Sequence, residues 1–343
     1  PESGMWRRFL KNLGIIRILY HAGKFLLSIL VLSVFVFTIS RLAPGDPLYA
    51  YYGERLEKMN MEEQEQARAR LGLDEPIPVQ YARWLRGALH GDFGISYQYK
   101  TDVKEVIAVR IGNTLLLGGL GFVLIFVLAL LLGLFCAWRE EQAVDRLICK
   151  IGTITSCIPE FWLSLLLLLV FAVWLGWLPG SGAYSVGKER SLSDRAVHLI
   201  LPLAVVVLGH LWYYAFQVRN RLLEEVRADY VLLARMKGLS GKQVLRRHCL
   251  RSAMPSYLSI MAIAFPHILG GTYVVETVFS YPGIGTLAYE SARYKDYNLL
   301  MVISLLTGSM VILCSMLAQG INGRIDPRTR RTVTAGRGEA NSL

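Results

Sequence analysis

The chain has 343 residues, of which 53% are hydrophobic and 18% charged, with a mean hydropathy of +0.39. Soluble domains carry about 25% charged residues; here the shortfall is concentrated in several separate runs long enough to cross a hydrocarbon core, which takes about 20 helical residues, and that distribution argues against a soluble globular protein. The net charge is +11, but the cations cluster beside the apolar runs, which fits the edges of a membrane and excludes a nucleic-acid partner.

The chain reads as an all-α polytopic membrane protein with six transmembrane helices. Pro1 to Gly4, ahead of Met5, read as a remnant of cloning. Residues 1–24 form a basic segment expected to stay cytoplasmic as an uncleaved anchor. The first span is expected over 25–42, followed by a long extracytoplasmic loop, 43–112. A five-helix core, 113–320, then carries spans over 113–137, 151–177, 197–217, 256–279 and 299–320. Within the long loop, Met61 to Leu71 is rich in Glu, Gln, Ala and Arg and reads as an exposed helix. A short charged turn, 138–150, joins the second and third spans, and the third carries Pro159 near its start. A basic segment, 218–255, separates the fourth span from the fifth, and a tail, 321–343, closes the chain.

Charge counting orients this layout. With the N-terminus inside, the segments 1–24, 138–150, 218–255 and 320–343 hold 22 Lys and Arg against 9 acids. The outside segments, 41–112, 176–197 and 280–298, hold 15 of each. The asymmetry places both termini in the cytoplasm. The five cysteines (Cys136, Cys149, Cys157, Cys249, Cys314) form no CxxC pair and read as small apolar fillers.

Glu160 and Glu276 fall at predicted span ends. Acids inside a membrane are costly and invite a functional reading; the plainer one puts each at headgroup level or on the cap of a helix break. His198, His210 and His267 lie in or beside spans without i, i+4 spacing. They read either as groups lining a path or as hydrogen-bonding partners of neighbouring helices. Glu160, Glu276, His210 and His267 are the candidates for a translocation path, and no metal site is assigned.

The segment between the fourth and fifth spans carries the mechanism. Tyr230, Leu233, Ala234 and Lys237 fall on one helical face by spacing, Gly238 breaks the helix, and Ser240 or Gly241 starts another. Small Ala234 beside a glycine allows another protein to approach closely. The plainer alternative is a basic amphipathic loop that only sets topology. Gly238-Leu-Ser-Gly-Lys-Gln is not a phosphate loop, because position 236 is Met and Gln243 replaces the hydroxyl.

Tyr230-Val-Leu-Leu-Ala-Arg-Met-Lys-Gly-Leu-Ser, followed by Val244-Leu-Arg-Arg-His-Cys-Leu-Arg-Ser-Ala-Met-Pro, resembles the EAA-type coupling loop of bacterial ABC importer permeases. It is most similar to the version in the dipeptide, oligopeptide and nickel family. Arg41-Leu-Ala-Pro-Gly-Asp-Pro, Gly91-Asp-Phe-Gly-Ile-Ser, Ile158-Pro-Glu-Phe-Trp-Leu, Val275-Glu-Thr-Val-Phe-Ser-Tyr-Pro-Gly-Ile-Gly and the tail Asp326-Pro-Arg-Thr-Arg-Arg agree in order. The order and the long outer loop resemble the first of the two permeases in such systems.

The resemblance implies a type I ABC importer permease fold in the bacterial cytoplasmic (inner) membrane. It implies a second homologous permease, two cytoplasmic ABC ATPases and an extracytoplasmic solute-binding protein as partners. No cofactor is expected on this chain; ATP and Mg belong to the ATPases. Its EAA positions fall on Leu232, Leu233 and Ala234, with Gly238 as the glycine; only Ala234 and Gly238 match the general pattern. The coupling residues it implies are Tyr230, Leu233, Ala234, Arg235, Lys237, Gly238, Leu239 and Ser240. Peptides are the expected cargo, with nickel or a metal chelate as the alternative. An ion-coupled carrier would need carboxylates near the midplane, and a membrane enzyme would need a motif such as HExxH or GxSxG, which the sequence lacks.

Overall fold

The computed structural model describes residues 2–43 and 47–325. Residues 44–46 of the Arg41–Pro47 motif and the tail motif from Asp326 lie outside the described residues, as do Arg328, Arg330 and Arg331. Among the described residues five helices are long and apolar enough to cross a membrane, or six spans when a bent helix pair is counted as one. The residues fall into two groups, taken in turn.

The first group comprises the chain to Val109 and Leu287–Met316. It holds α1 (Glu2–Leu42), whose apolar span is Leu19–Leu42, and the expected outer segment, which is folded. That segment contains α2 (Pro47–Tyr52), a 3-10 turn (Gly53–Lys58), α3 (Met61–Leu71) and α4 (Ile77–Leu89). The start and stop of α3 follow from local chemistry. Asn60 Oδ1 accepts from the Glu63 amide at 2.8 Å while the Glu63 carboxylate accepts from the Asn60 amide at 2.9 Å, so two otherwise orphaned donors are satisfied. Gly72, at φ +66°, then ends the helix in the left-handed region. On α4, Tyr81 and Trp84 pack edge-on and tilted against the enclosed Phe37 of α1. Farther along, Asp296 accepts from Ser96 Oγ and the Gln98 amide and caps α13 (Tyr297–Ile325) at the Leu299 amide. The loop after α4 is thereby tied to the start of the last span.

The second group comprises Arg110–Thr286 and the chain from Leu317. It contains most of α5 (Val103–Trp138), α6 (Ala143–Ser156) and α7 (Glu160–Leu167), which continues as a π-helical segment to Trp174. Next come α8 (Leu192–Val226), α9 (Asp229–Met236), α10 (Gly241–Val244) and, after a π-helical turn, α11 (Leu250–Val278). α12 (Ile284–Arg293) begins here. The core is built where α5, α8 and α11 meet. Phe126 packs tilted against Tyr214 and edge-on against Tyr257, and the Tyr257 hydroxyl donates to the Phe126 carbonyl. Gly133 lets α5 approach α8 closely: a Cβ there would lie 2.6 Å from a Val218 methyl. Small residues at such contacts are how membrane helices gain packing without a hydrophobic drive between them.

One expectation is corrected. The third span is not a single helix over 151–177: α6 and α7 meet at a 98° bend across Cys157–Pro159. Pro159 has no amide to continue α6 and sits at φ −63°, ψ 140° as the N-cap of α7, the conformation the ring favours before a new helix. The expected charged turn 138–150 is therefore mostly helix.

Candidate functional site

α9 is a two-turn helix, and its end is the most tightly specified part of the segment. The Gly238 amide donates to the Arg235 carbonyl at 2.9 Å and the Leu239 amide to the Ala234 carbonyl at 3.3 Å. This pair of bonds is a Schellman ending, which needs a left-handed residue between them. Gly238 supplies it at φ +81°. The chain then restarts at once: Ser240 caps α10, with the Gln243 side chain accepting from the Ser240 amide at 3.0 Å. The expected order of helix, glycine turn and second helix is present, with Ser240 as the cap.

The faces of α9 are not those read from spacing. Val231 (2% exposed) and Ala234 (6%) turn inward onto the core of the second group. Leu232 (63%), Leu233 (52%) and Met236 (70%) turn outward. Tyr230, Leu233, Ala234 and Lys237 thus do not share one working face; Ala234 is small because α9 lies against its own chain. Arg235, Lys237 and Gly238 are exposed and Leu239 is half-buried. Tyr230 fixes the helix from its start. Its hydroxyl donates to Glu225 Oε2 at 2.7 Å, and Arg221 holds the other oxygen of Glu225 at 3.1 Å. Burial, reinforced by the Glu225 hydrogen bond, pushes the Tyr230 phenol above its usual range, so it stays a donor. α9 is therefore a short rigid element bonded to the end of α8, with an apolar surface of three large side chains turned away from the chain.

Open space surrounds Gly238, so the constraint is the backbone and not crowding. A branched side chain in the left-handed region costs about 1–2 kcal/mol. We expect Gly238→Val to open the turn, and trypsin cleavage after Lys237 in the purified protein to accelerate severalfold, with Gly238→Asn in between. Equal cleavage rates in all three would rule out the left-handed constraint.

Of the four path candidates, the structure brings Glu160, His210 and His267 together and sets Glu276 apart. Glu276 is wholly enclosed: Thr114 Oγ1 donates to its carboxylate at 2.7 Å, Thr272 Oγ1 at 3.2 Å, and the amides of Gly285 and Thr286 at 2.8 and 3.1 Å. It caps α12, the plainer of its two sequence readings. Glu160, expected at a span boundary, instead lies beside Gly209, midway along α8, because the bend after α6 carries the start of α7 inward. Its Oε1 is 3.2 Å from His210 Nδ1, and the His210 and His267 rings are 5.9 Å apart. His198 stands apart, bonded to the Asp194 carbonyl at 2.9 Å one helical turn away. Sequence reasoning missed the Asp145–Arg219 pair, which joins α6 to α8 by two bonds of 2.9 and 2.6 Å.

Residues 129–331 match the family model described as the binding-protein-dependent transport system inner membrane component, and residues 15–118 match its N-terminal companion. The chain is 34% identical over 304 residues to the oligopeptide transport system permease protein AppB of Bacillus subtilis, covering 88% of this chain and 94% of that one. It is 34% identical over 305 residues to a putative peptide permease protein of Brucella suis biovar 1, covering 89% and 95%. It is 31% identical over 300 residues to a probable peptide ABC transporter permease protein of Sinorhizobium fredii, covering 88% and 94%. In fold it is similar to a chain of the inward-facing MetNI methionine ABC transporter, with a TM-score of 0.53 and 17% identity over 65% of this chain and 97% of that one. The chain belongs to the inner membrane components of binding-protein-dependent transport systems, as a multi-pass, non-catalytic permease subunit of an ABC importer.

Proposed function

We propose that this permease carries di- or oligopeptides into the cytoplasm, and that α9 is the surface through which an ATPase drives it. Both termini face the cytoplasm in this reading, which the excess of Lys and Arg over acids in the inside segments supports. A second homologous permease completes the path, an extracytoplasmic binding protein delivers cargo, and two ABC ATPases bind ATP and Mg; this chain holds no cofactor. The folded outer segment with α3 is the contact proposed for the binding protein. The peptide cargo is supported by the relatives, which are named for peptides.

The observation that carries the coupling role is the outward surface of Leu232, Leu233 and Met236 on a helix fixed at both ends. Three exposed apolar side chains on so short a polar-flanked segment fit a protein contact better than water. When ATP closes the ATPase pair, a helix of this kind moves as a body, and the packed α8 and α11 pass the shift to the path as one of two discrete packings.

Leu233→Asp with Met236→Asp tests this in the complete importer. We expect the ATPases to be lost on co-purification and dipeptide uptake to fall more than tenfold. The same change at the exposed loop residue Val186 should affect neither. Retained ATPases in the double variant would remove α9 as the contact, and wild-type uptake of nickel but not of dipeptide would remove the peptide cargo.

A further inference from the structure

The Glu160–His210 cluster has an imbalance of hydrogen-bonding groups that points to a ligand. His210 Nδ1 lies 3.0 Å from the Val206 carbonyl as well as 3.2 Å from Glu160 Oε1. A carbonyl only accepts, so Nδ1 carries the proton, and in the neutral ring Nε2 presents a lone pair. Nε2 faces the side of Gly271, where a Cβ would stand 3.9 Å away. Among the described residues no side chain or amide hydrogen-bonds the Glu160 carboxylate; the imidazole stands 3.2 Å away with its Nδ1 proton directed to the Val206 carbonyl. Glu160 and His210 side chains remain 26% and 14% exposed, and His267 beside them is exposed. Several acceptors with spare capacity therefore meet at one accessible place, and none of the groups around it is hydrogen-bonded to Glu160.

The position excludes the lipid side. Gly209 and His267 are near the middles of α8 and α11, and a carboxylate there faces a bundle interior or a watery cavity, since contact with hydrocarbon is too costly. Gly209 leaves room for the carboxylate: a Cβ at that position would come within 2.8 Å of Glu160 Oε1. Acceptors that lack donors are complementary to a compact cation with several N–H groups.

The geometry points to Glu160 and His210 as a subsite for a primary ammonium group of the cargo, the amino terminus of a peptide in transit. This rests on the reading of the chain as a peptide permease. The carboxylate takes the charge and one N–H, and His210 Nε2 accepts a second. The remainder of the peptide is left without side-chain selection at this point, as a path for varied sequences requires.

Two measurements test it. In the purified complete importer, a hydrophobic carbodiimide should modify Glu160, read by peptide mass mapping. Millimolar dialanine should protect Glu160 at least fivefold, and N-acetyl-dialanine should not. In proteoliposomes, Glu160→Gln and His210→Ala should each lower dialanine uptake about tenfold, with assembly checked by co-elution of all subunits. Equal protection by the two peptides, or by neither, overturns the subsite even if a variant fails to assemble. Wild-type uptake by an assembled Glu160→Gln importer overturns it while leaving the peptide reading intact, whereas failure of the wild-type importer to take up either dialanine or penta-alanine defeats the peptide reading itself.

Discussion

Replacing Asp145 by Ala is expected to lower the melting temperature of the detergent-purified importer by roughly 10 °C, because breaking a buried ion pair costs about 3–5 kcal/mol. Asp145 is almost fully enclosed, and its two oxygens receive both arms of the Arg219 guanidinium. The Glu141 amide adds a third bond at 3.1 Å and the Cys149 thiol approaches at 3.5 Å. Removing the carboxylate leaves Arg219 charged, mostly buried and without its fork-shaped partner. The same pair fixes α6 across α8, where Gly152 sits against the rings of Trp212 and Phe216, so its loss loosens the arm of the bent span. Glu140, whose partner Arg227 is largely exposed, provides the contrast: Glu140→Ala should cost less than about 1 kcal/mol. Asp145→Leu combined with Arg219→Met should recover much of the loss, since an apolar pair of similar volume needs no desolvation of charge. Thermal unfolding of the four proteins checks this, and an Asp145→Ala shift no larger than that of Glu140→Ala would refute it.

That pair also marks where the sequence stops being legible. Arg139, Glu140, Glu141, Asp145, Arg146 and Lys150 crowd one short stretch, and nothing local distinguishes the acid that is buried from those that face water. Elements fixed by neighbours in the chain are readable. The Asn60–Glu63 box and Gly72 delimit α3, and Gly238 with Ser240 punctuates the coupling segment, because each acts within a few residues. The face of α9 is not readable by spacing, since Tyr230, Val231, Leu232, Leu233, Ala234 and Met236 make it apolar nearly all round; only packing against the chain selects Val231 and Ala234. The depth of Glu160 was hidden for a different reason. Position in an apolar run measures depth only when the run is straight, and Pro159 turns this one by 98°.

Glu276 shows how a long-range partner decides between two sensible readings, and substituting it is expected to abolish the folded protein where a path-lining carboxylate would alter transport alone. Gly285 and Thr286 are the second and third residues of α12, so their amides are among the orphan donors of a helix start. Glu276 satisfies both from the end of α11 and places negative charge where the helix dipole favours it. Thr114 of α5 completes the clamp: it donates to Glu276 Oε1 and accepts from the Ile284 amide at 2.7 Å. Each buried donor left without an acceptor costs about 1–3 kcal/mol, and Glu276→Ala strands two amides and a hydroxyl at once. Glu276→Gln keeps the shape but turns an NH2 group toward groups that only donate to it now. Gly283 offers a test that leaves the carboxylate in place: a Cβ there would fall 2.2 Å from Glu276 Cδ, so Gly283→Ala must push the carboxylate off its partners. Both Glu276→Gln and Gly283→Ala should reduce the monodisperse fraction in fluorescence-detected size exclusion at least fivefold. Wild-type folding of both variants, with only cargo uptake changed, would return Glu276 to the translocation path.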